Sequence, residues 1–204
     1  MPPEQSLVVG ISGSLRAGSY TTMAVATALR GAEEAGASIR LIDLRDYRLP
    51  LSTGATDDAT YPDSLKALRE LVKSASGIIL GTPEYHGSFS GVLKNALDLM
   101  GFDEFEGKMI GLVGVSGGQI GAFDALNSLR NVGRALHAWV VPEQASIPEA
   151  WKAFNADGSV RNSQLNERLK TVGRQVARFA FLHAREKDLA FVKAWEQAPP
   201  NPGG

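Results

Sequence analysis

Six residues within eleven positions, Ser12, Ser14, Arg16, Ser19, Thr21 and Thr22, set five hydroxyls and a guanidinium between an apolar run and a helical stretch. Free N–H groups at a helix start, the positive end of its dipole and a planar guanidinium together make a site for an anion. The segment lacks the Gly-Lys-Ser/Thr ending of a triphosphate loop and the Gly-x-Gly-x-x-Gly of a dinucleotide loop. Hydroxyls and one Arg, with no Lys, suit a phosphomonoester. The plainer alternative is that these Ser and Thr residues only cap a helix.

A second concentration lies in Gly81–Met100, where Thr82, Pro83, Glu84, Tyr85, His86 and Gly87 separate an apolar run at 77–80 from Val92, Leu93, Ala96, Leu97 and Met100 at helical spacing. Glu84, Tyr85 and His86 suggest either acid–base chemistry or one wall of a site for a flat ring. Glu84 is as well suited to a backbone contact as to a ligand contact. A third segment, Ser116-Gly117-Gly118, lets backbone approach a flat ligand closely. Phosphate contacts at one end and flat-ring contacts at the other describe flavin mononucleotide (FMN) better than a dinucleotide.

These segments need elements to hold them. Short runs at 6–11, 38–44, 77–80, 109–115 and 138–141 read as strands, the first of them as a parallel strand buried on both faces and the last stopped by Pro142. Between them lie helical patterns at 23–35 capped by Gly36, at 62–74, at 92–100 and up to about Leu136. A final helix from Asn162 carries Leu165, Leu169, Val172, Val176, Phe179 and His183 along one face and runs towards Trp195. Phe181, Phe191 and Trp195 fall off that face and suit packing on a partner subunit or back onto the sheet.

Alternating strands and helices imply a parallel sheet covered on both faces. Right-handed crossovers make it a flavodoxin-like α/β three-layer sandwich with a five-stranded parallel sheet of order 2-1-3-4-5. The loops after strands one, three and four then lie side by side, at the carboxyl ends of the strands. The expectation is one domain over residues 1–204, with a disordered Pro/Gly tail from about 198.

With 21 basic and 22 acidic residues, the net charge of -1 gives no global argument for nucleic acid or an anionic membrane. Absence of Cys removes disulfides, thiolate metal sites and a Cys nucleophile. No metal site is expected: Asp57-Asp58 has no third ligand nearby and reads as solvated surface. No basic segment precedes an apolar core at the start, and no apolar run reaches membrane-spanning length. The expectation is a cytoplasmic protein without membrane insertion.

The residues resemble the NADPH-dependent FMN reductases, a family that includes quinone, chromate and azo-dye reductases. Ser14-Leu-Arg-Ala-Gly-Ser-Tyr-Thr21 is similar to their Ser-x-Arg-x-x-Ser-x-Asn phosphate loop, with Thr21 where Asn is usual. Thr82-Pro-Glu-Tyr85 and Leu93-Lys-Asn-Ala-Leu-Asp98 are similar to their second signature, and the likeness extends over about residues 6–185. The resemblance implies that Ser14, Arg16, Ser19 and Thr21 bind the FMN phosphate. It implies that Pro83, Glu84, Tyr85 and His86 line the flavin, with Ser116, Gly117 and Gly118 closing the ring end. His86 stands where many members have Asn. Hydride from NADPH or NADH would pass through bound FMN to a quinone or another small acceptor, such as free flavin, chromate or an azo compound. No side chain is then an obligatory acid or base, because the chemistry is at the flavin N5. A homodimer or homotetramer with the helix at 88–100 in an interface is also implied. Arg45, Arg48 and Arg130 are candidates for the 2′-phosphate of NADPH.

Two other activities compete. Gly114-Val-Ser-Gly-Gly118 fits the Gly-x-Ser-x-Gly nucleophile elbow, with Asp157 or Asp188 and His183 as partners for Ser116. The last-helix position of His183 and the lack of a His-Gly-Gly-Gly loop count against a hydrolase. A flavodoxin-type electron carrier would be expected to be strongly acidic, and this chain is balanced.

Overall fold

The computed structural model describes residues 6–54 and 61–186, the side chains of 184–186 excepted. Five long strands, β1 (Leu7–Ser12), β2 (Ser38–Asp43), β3 (Gly77–Tyr85), β5 (Met109–Val115) and β6 (Trp139–Ile147), are parallel and ordered β2-β1-β3-β5-β6. Counted alone, they keep the expected 2-1-3-4-5 arrangement. The sheet has a sixth member, however: the two-residue β4 (Ser88–Phe89) folds back antiparallel to β3.

Alternation along the strands feeds two cores. Val8, Ile79 and Val113 face α1 (Tyr20–Glu34) and α7 (Ser163–Glu186), meeting Ala24, Ala28, Val172 and Val176. Val9, Ile78, Leu80 and Leu112 face α2 (Asp63–Ser74), α3 (Gly91–Asp98), α4 (Phe102–Phe105) and α5 (Phe123–Ala135). Both faces of the sheet are thus covered. A short α6 (Ala150–Ala153) follows β6. α1 and α7 touch backbone to backbone: a Cβ on Gly31 would strike the Lys170 carbonyl, and one on Gly173 the Ala28 carbonyl.

Several boundaries differ from the sequence reading. Pro142 does not stop the fifth long strand. β6 runs on to Ile147 because its register against β5 jumps from Ile110↔Val140 to Leu112↔Gln144, and Pro142 sits in the bulge. β6 ends the sheet, so the missing N–H of Pro142 leaves no ladder partner unmet. α1 starts at Tyr20 instead of Met23 because Ser19 caps it. The helix expected over 88–100 is confined to Gly91–Asp98, since Ser88 and Phe89 are strand. The buried stripe of α7 runs through Leu169, Val172, Val176, Ala177 and Ala180, while Phe179 is exposed and His183 half-buried. A 3.5-residue pattern drifts around a 3.6-residue helix, so the far end of the apolar series leaves the core.

Asp57, Asp58, Asp188, Phe191, Trp195 and the tail from 198 lie outside the described residues. Among the described residues, no helix is long and apolar enough to cross a membrane, and no group of His, Asp and Glu has metal-ligand geometry.

Candidate cofactor-binding site

β1, β3 and β5 are neighbours in the sheet, so the loops at their carboxyl ends meet. Ser12 pairs with Gly81, and Pro83 with Val115, which sets the first loop beside the second and the second beside Ser116.

The first loop is tightly wired. Ser12 and Thr22 share a hydroxyl hydrogen bond of 2.8 Å, tying the end of β1 to the first turn of α1. Ser19 is the N-cap, its Oγ accepting from the Thr21 and Thr22 amides at 3.1 and 3.4 Å. The cap reading holds for Ser19, which takes two amides and fixes the loop. Ser14 is buried, its Oγ accepting from the Arg16 amide. Thr21 is buried with its methyl towards Gly81, which distinguishes it from Thr22. The amides of Leu15, Ala17, Gly18 and Ser19 have no protein acceptor among the described residues. The exposed Arg16 guanidinium likewise has no partner there. Unpaired donors around one turn are what a phosphate requires.

The second loop is a hairpin. Tyr85 pairs with Ser88, leaving His86 and Gly87 as a two-residue connection with φ of 53° and 75°. Positive φ at both central residues is the type I′ arrangement, favoured by Asn-Gly because Asn tolerates the left-handed region. His86 thus occupies its place for a backbone reason, and its ring is exposed. Tyr85 is exposed and Pro83 buried in the strand. Glu84 turns away from acid–base duty: its Oε2 accepts the Ala125 amide at 3.0 Å, at the start of α5.

The third loop is open. Ser116 Oγ accepts from the Gly118 amide at 3.0 Å, and backbone bonds from Glu149 and Ala150 hold Gly118 and Ser116 from behind. A Cβ at Gly117 would meet nothing within 4 Å, and one at Gly118 only the Ser116 hydroxyl at 3.6 Å. Neither glycine has positive φ. Nothing in the protein itself demands glycine at either position, which fits close approach of a flat group from outside. Unpaired donors at one end and bare backbone at the other therefore fit FMN.

Sequence reasoning passed over the residues that join these loops. Ser90 caps α3 by accepting from Leu93 N and donates to the Gly13 carbonyl at 2.6 Å. Thr82 Oγ1 accepts the Ser90 amide at 3.0 Å, and Gly13 N donates to Gly81 O at 2.8 Å. Ser90 was findable as a hydroxyl residue immediately before an apolar helical pattern. The Ser146 hydroxyl, which accepts from Ala122 N at 2.8 Å, gave no such local signal.

Arg45 is engaged by Asp43 through contacts of 3.0 and 2.6 Å, and Arg130 by Gln144 and the Pro142 carbonyl, and in each the Nη1 donors remain unused by these bonds. One expectation fails on geometry: the hydrolase triad cannot form. Ser116 follows the end of β5, whereas His183 lies by Gly107, before its start. Seven residues of strand separate them, about 20 Å. Asp157 is turned to Ser159, whose hydroxyl and amide lower its pKa.

Comparison with known proteins agrees with this arrangement. Residues 6–152 match the family model described as NADPH-dependent FMN reductase. The NADPH-dependent FMN reductase ArsH of Shigella flexneri is 33% identical over 186 residues, covering 89% of this chain and 70% of that protein. The FMN-dependent NADPH-azoreductase of Staphylococcus saprophyticus is 38% identical over 138 residues, covering 66% of this chain and 72% of that protein. Among solved structures, the flavoenzyme NAD(P)H:acceptor oxidoreductase FerB of Paracoccus denitrificans superposes with a TM-score of 0.66 at 26% identity, over 88% of this chain and 99% of that one. An archaeal flavodoxin, at 13% identity and a TM-score of 0.59, shares the fold. The chain belongs to the NADPH-dependent FMN reductase family.

Proposed function

We propose that this protein is an FMN-dependent oxidoreductase that takes hydride from NADPH and delivers electrons to a small acceptor such as a quinone or an azo compound. Bound FMN supplies the electron-transfer chemistry. The observation that carries the reading is the convergence of a donor-rich turn and a bare glycine backbone at the carboxyl ends of β1 and β5. The Arg16 guanidinium and the amides of Leu15, Ala17, Gly18 and Ser19 hold the phosphate, with Ser14, Ser19 and Thr21 shaping the turn around it. Pro83, Tyr85 and the backbone of His86 form one wall of the ring site, and Ser116, Gly117 and Gly118 the other. Glu84 acts from behind that wall. The open third loop leaves a face free for the nicotinamide and then the acceptor in turn.

A second copy of the chain completes the assembly in this reading. An open cavity of about 560 Å³ beside α3 mixes apolar residues, Leu15, Leu49, Leu51 and Val92, with Arg45 and Asn95, and Leu51 is 82% exposed. The cytoplasm is the compartment that supplies NADPH and keeps such a protein with its acceptors.

The deciding experiment is stopped-flow reduction of the purified yellow protein by NADPH under anaerobic conditions. Bleaching of the flavin within seconds, followed by reoxidation on adding a quinone, is the expected outcome. Protein that carries FMN but is reduced by neither NADPH nor NADH overturns the reductase reading in favour of the electron carrier. Sedimentation at micromolar concentration tests the assembly: a monomer overturns it.

A further inference from the structure

The first turn of α5 is capped entirely from elsewhere. Ala122, at the N-cap, offers no side-chain acceptor. Its amide donates to Ser146 of β6, and the Ala125 amide donates to Glu84 of β3, 41 residues away. Glu84 also pairs through its backbone with Phe89 of β4, and β4 packs on α5. One carboxylate thus ties the hairpin wall of the ring site to the helix that follows the opposite wall, Ser116–Gly121. It also sets a negative charge against the positive end of the α5 dipole.

We propose that Glu84 is a positioning residue that locks the two walls of the ring site at a fixed separation, and whose charge lowers the reduction potential of the bound flavin by offsetting the α5 N-terminus. This rests on the FMN reading above. Electron uptake adds negative charge to the ring, so a nearby carboxylate disfavours it and an uncompensated helix N-terminus favours it. Geometry and charge are separable by substitution. Glu84→Gln keeps a carbonyl oxygen for the Ala125 amide and removes the charge. Glu84→Ala removes both.

Hydrogen exchange on the cofactor-free protein reads the lock without reference to FMN. Glu84→Ala accelerates exchange at Ala125 and at the bonded amides of Ser116 and Gly118 by about tenfold or more, and Glu84→Gln restores protection to within about threefold of wild type. Unchanged exchange in Glu84→Ala overturns the lock. With FMN bound, Glu84→Gln shifts the midpoint potential positive, while its FMN dissociation constant stays within about threefold of wild type. An unmoved potential in Glu84→Gln overturns the electrostatic role and reduces Glu84 to a structural cap. Wild-type protein that binds no FMN at all overturns the functional reading and, with it, the electrostatic half of the proposal; the exchange result stands or falls by itself.

Discussion

In the loop after β1 almost every hydroxyl has a partner, whereas the loop after β5 is held only from behind. Ser12 is tied to Thr22, Ser19 to two amides, and Gly13 to Gly81 and Ser90. Gly117 and Gly118 face open space. On the proposed FMN reading, the difference follows from what each loop would meet. A phosphate is small and anionic throughout the working pH range, so donors prearranged around it lose little entropy on binding. A ring that must be visited by nicotinamide and then by acceptor needs an open face. The anion end of the site is preformed, and the ring end is left accessible.

The largest expected effect tests the anion end directly. Arg16 has no competing partner among the described residues, so its charge is available to the ligand. Arg16→Ala should weaken FMN binding by about 10- to 100-fold, the 1.5–3 kcal/mol of a charge-assisted hydrogen bond. Riboflavin, which lacks the phosphate, should bind the variant and wild type alike. Equal losses for FMN and riboflavin would break the assignment of the two ends.

A pair of glycine substitutions sharpens the same contrast. A Cβ on Gly13 would sit 2.7 Å from Leu93 Cβ and 2.9 Å from the Gly81 carbonyl, and the sheet and α3 give it nowhere to go. Gly13→Ala should therefore cost about 1–3 kcal/mol in urea unfolding. Gly117→Ala should stay within about 0.5 kcal/mol of wild type while weakening FMN binding. If both variants unfold at the same urea concentration, the two loops are not built differently.

The hairpin at His86 lies between these extremes, and its prediction concerns backbone alone. At φ 53°, a β-branched residue is strained, so His86→Val should cost about 1–2 kcal/mol. His86→Asn should be neutral or mildly stabilising in the same thermal melt. A deficit in FMN binding by His86→Asn at unchanged stability would show that the ring, and not only the turn, is used.

Much of this was legible in the sequence, and the exceptions have physical causes. Apolar runs gave all five long strands, most cleanly the central β1, β3 and β5, because strands buried on both faces have no polar side to interrupt the pattern, whereas the edge strands β2 and β6 are partly exposed. The convergence of the three loops followed from strand order alone. Strand ends were less legible. β3 carries on through Thr82-Pro83-Glu84-Tyr85 and β6 through Pro142, where proline signals a stop and a bulge overrides it. Side-chain partners distant in the chain were not legible at all: Glu84 with Ala125, Ser90 with Gly13, and Ser146 with Ala122 are 41, 77 and 24 residues apart. The motif around Glu84 left a backbone contact and a ligand contact equally open. Only the fold showed that its carboxylate faces a helix end.

The smallest expected effect separates the two ends by pH. At the end of β2, in the neighbourhood of Leu15, Asp43 accepts from the Arg45 guanidinium and amide, and these contacts hold its pKa below the usual carboxylate value. A carboxylate whose folded pKa is depressed contributes its full stabilisation above its unfolded pKa and loses it as pH falls through the folded one. Wild-type stability should thus drop between about pH 5 and pH 3, part of it from Asp43. Glu34, lowered by its bonds to Lys170 and Arg174 on the α1–α7 face, contributes with the same sign and is untouched by the substitution. Asp43→Asn keeps an oxygen for the Arg45 amide and should flatten the profile by no more than about 1 kcal/mol, because Arg45 is well exposed. FMN dissociation followed over the same range locates the effect: if the Asp43 pair supports the preformed end, phosphate-dependent affinity falls with acid more in wild type than in Asp43→Asn. Riboflavin affinity should then show no such difference between the two proteins, since its contacts lie at the end that this ion pair does not reach.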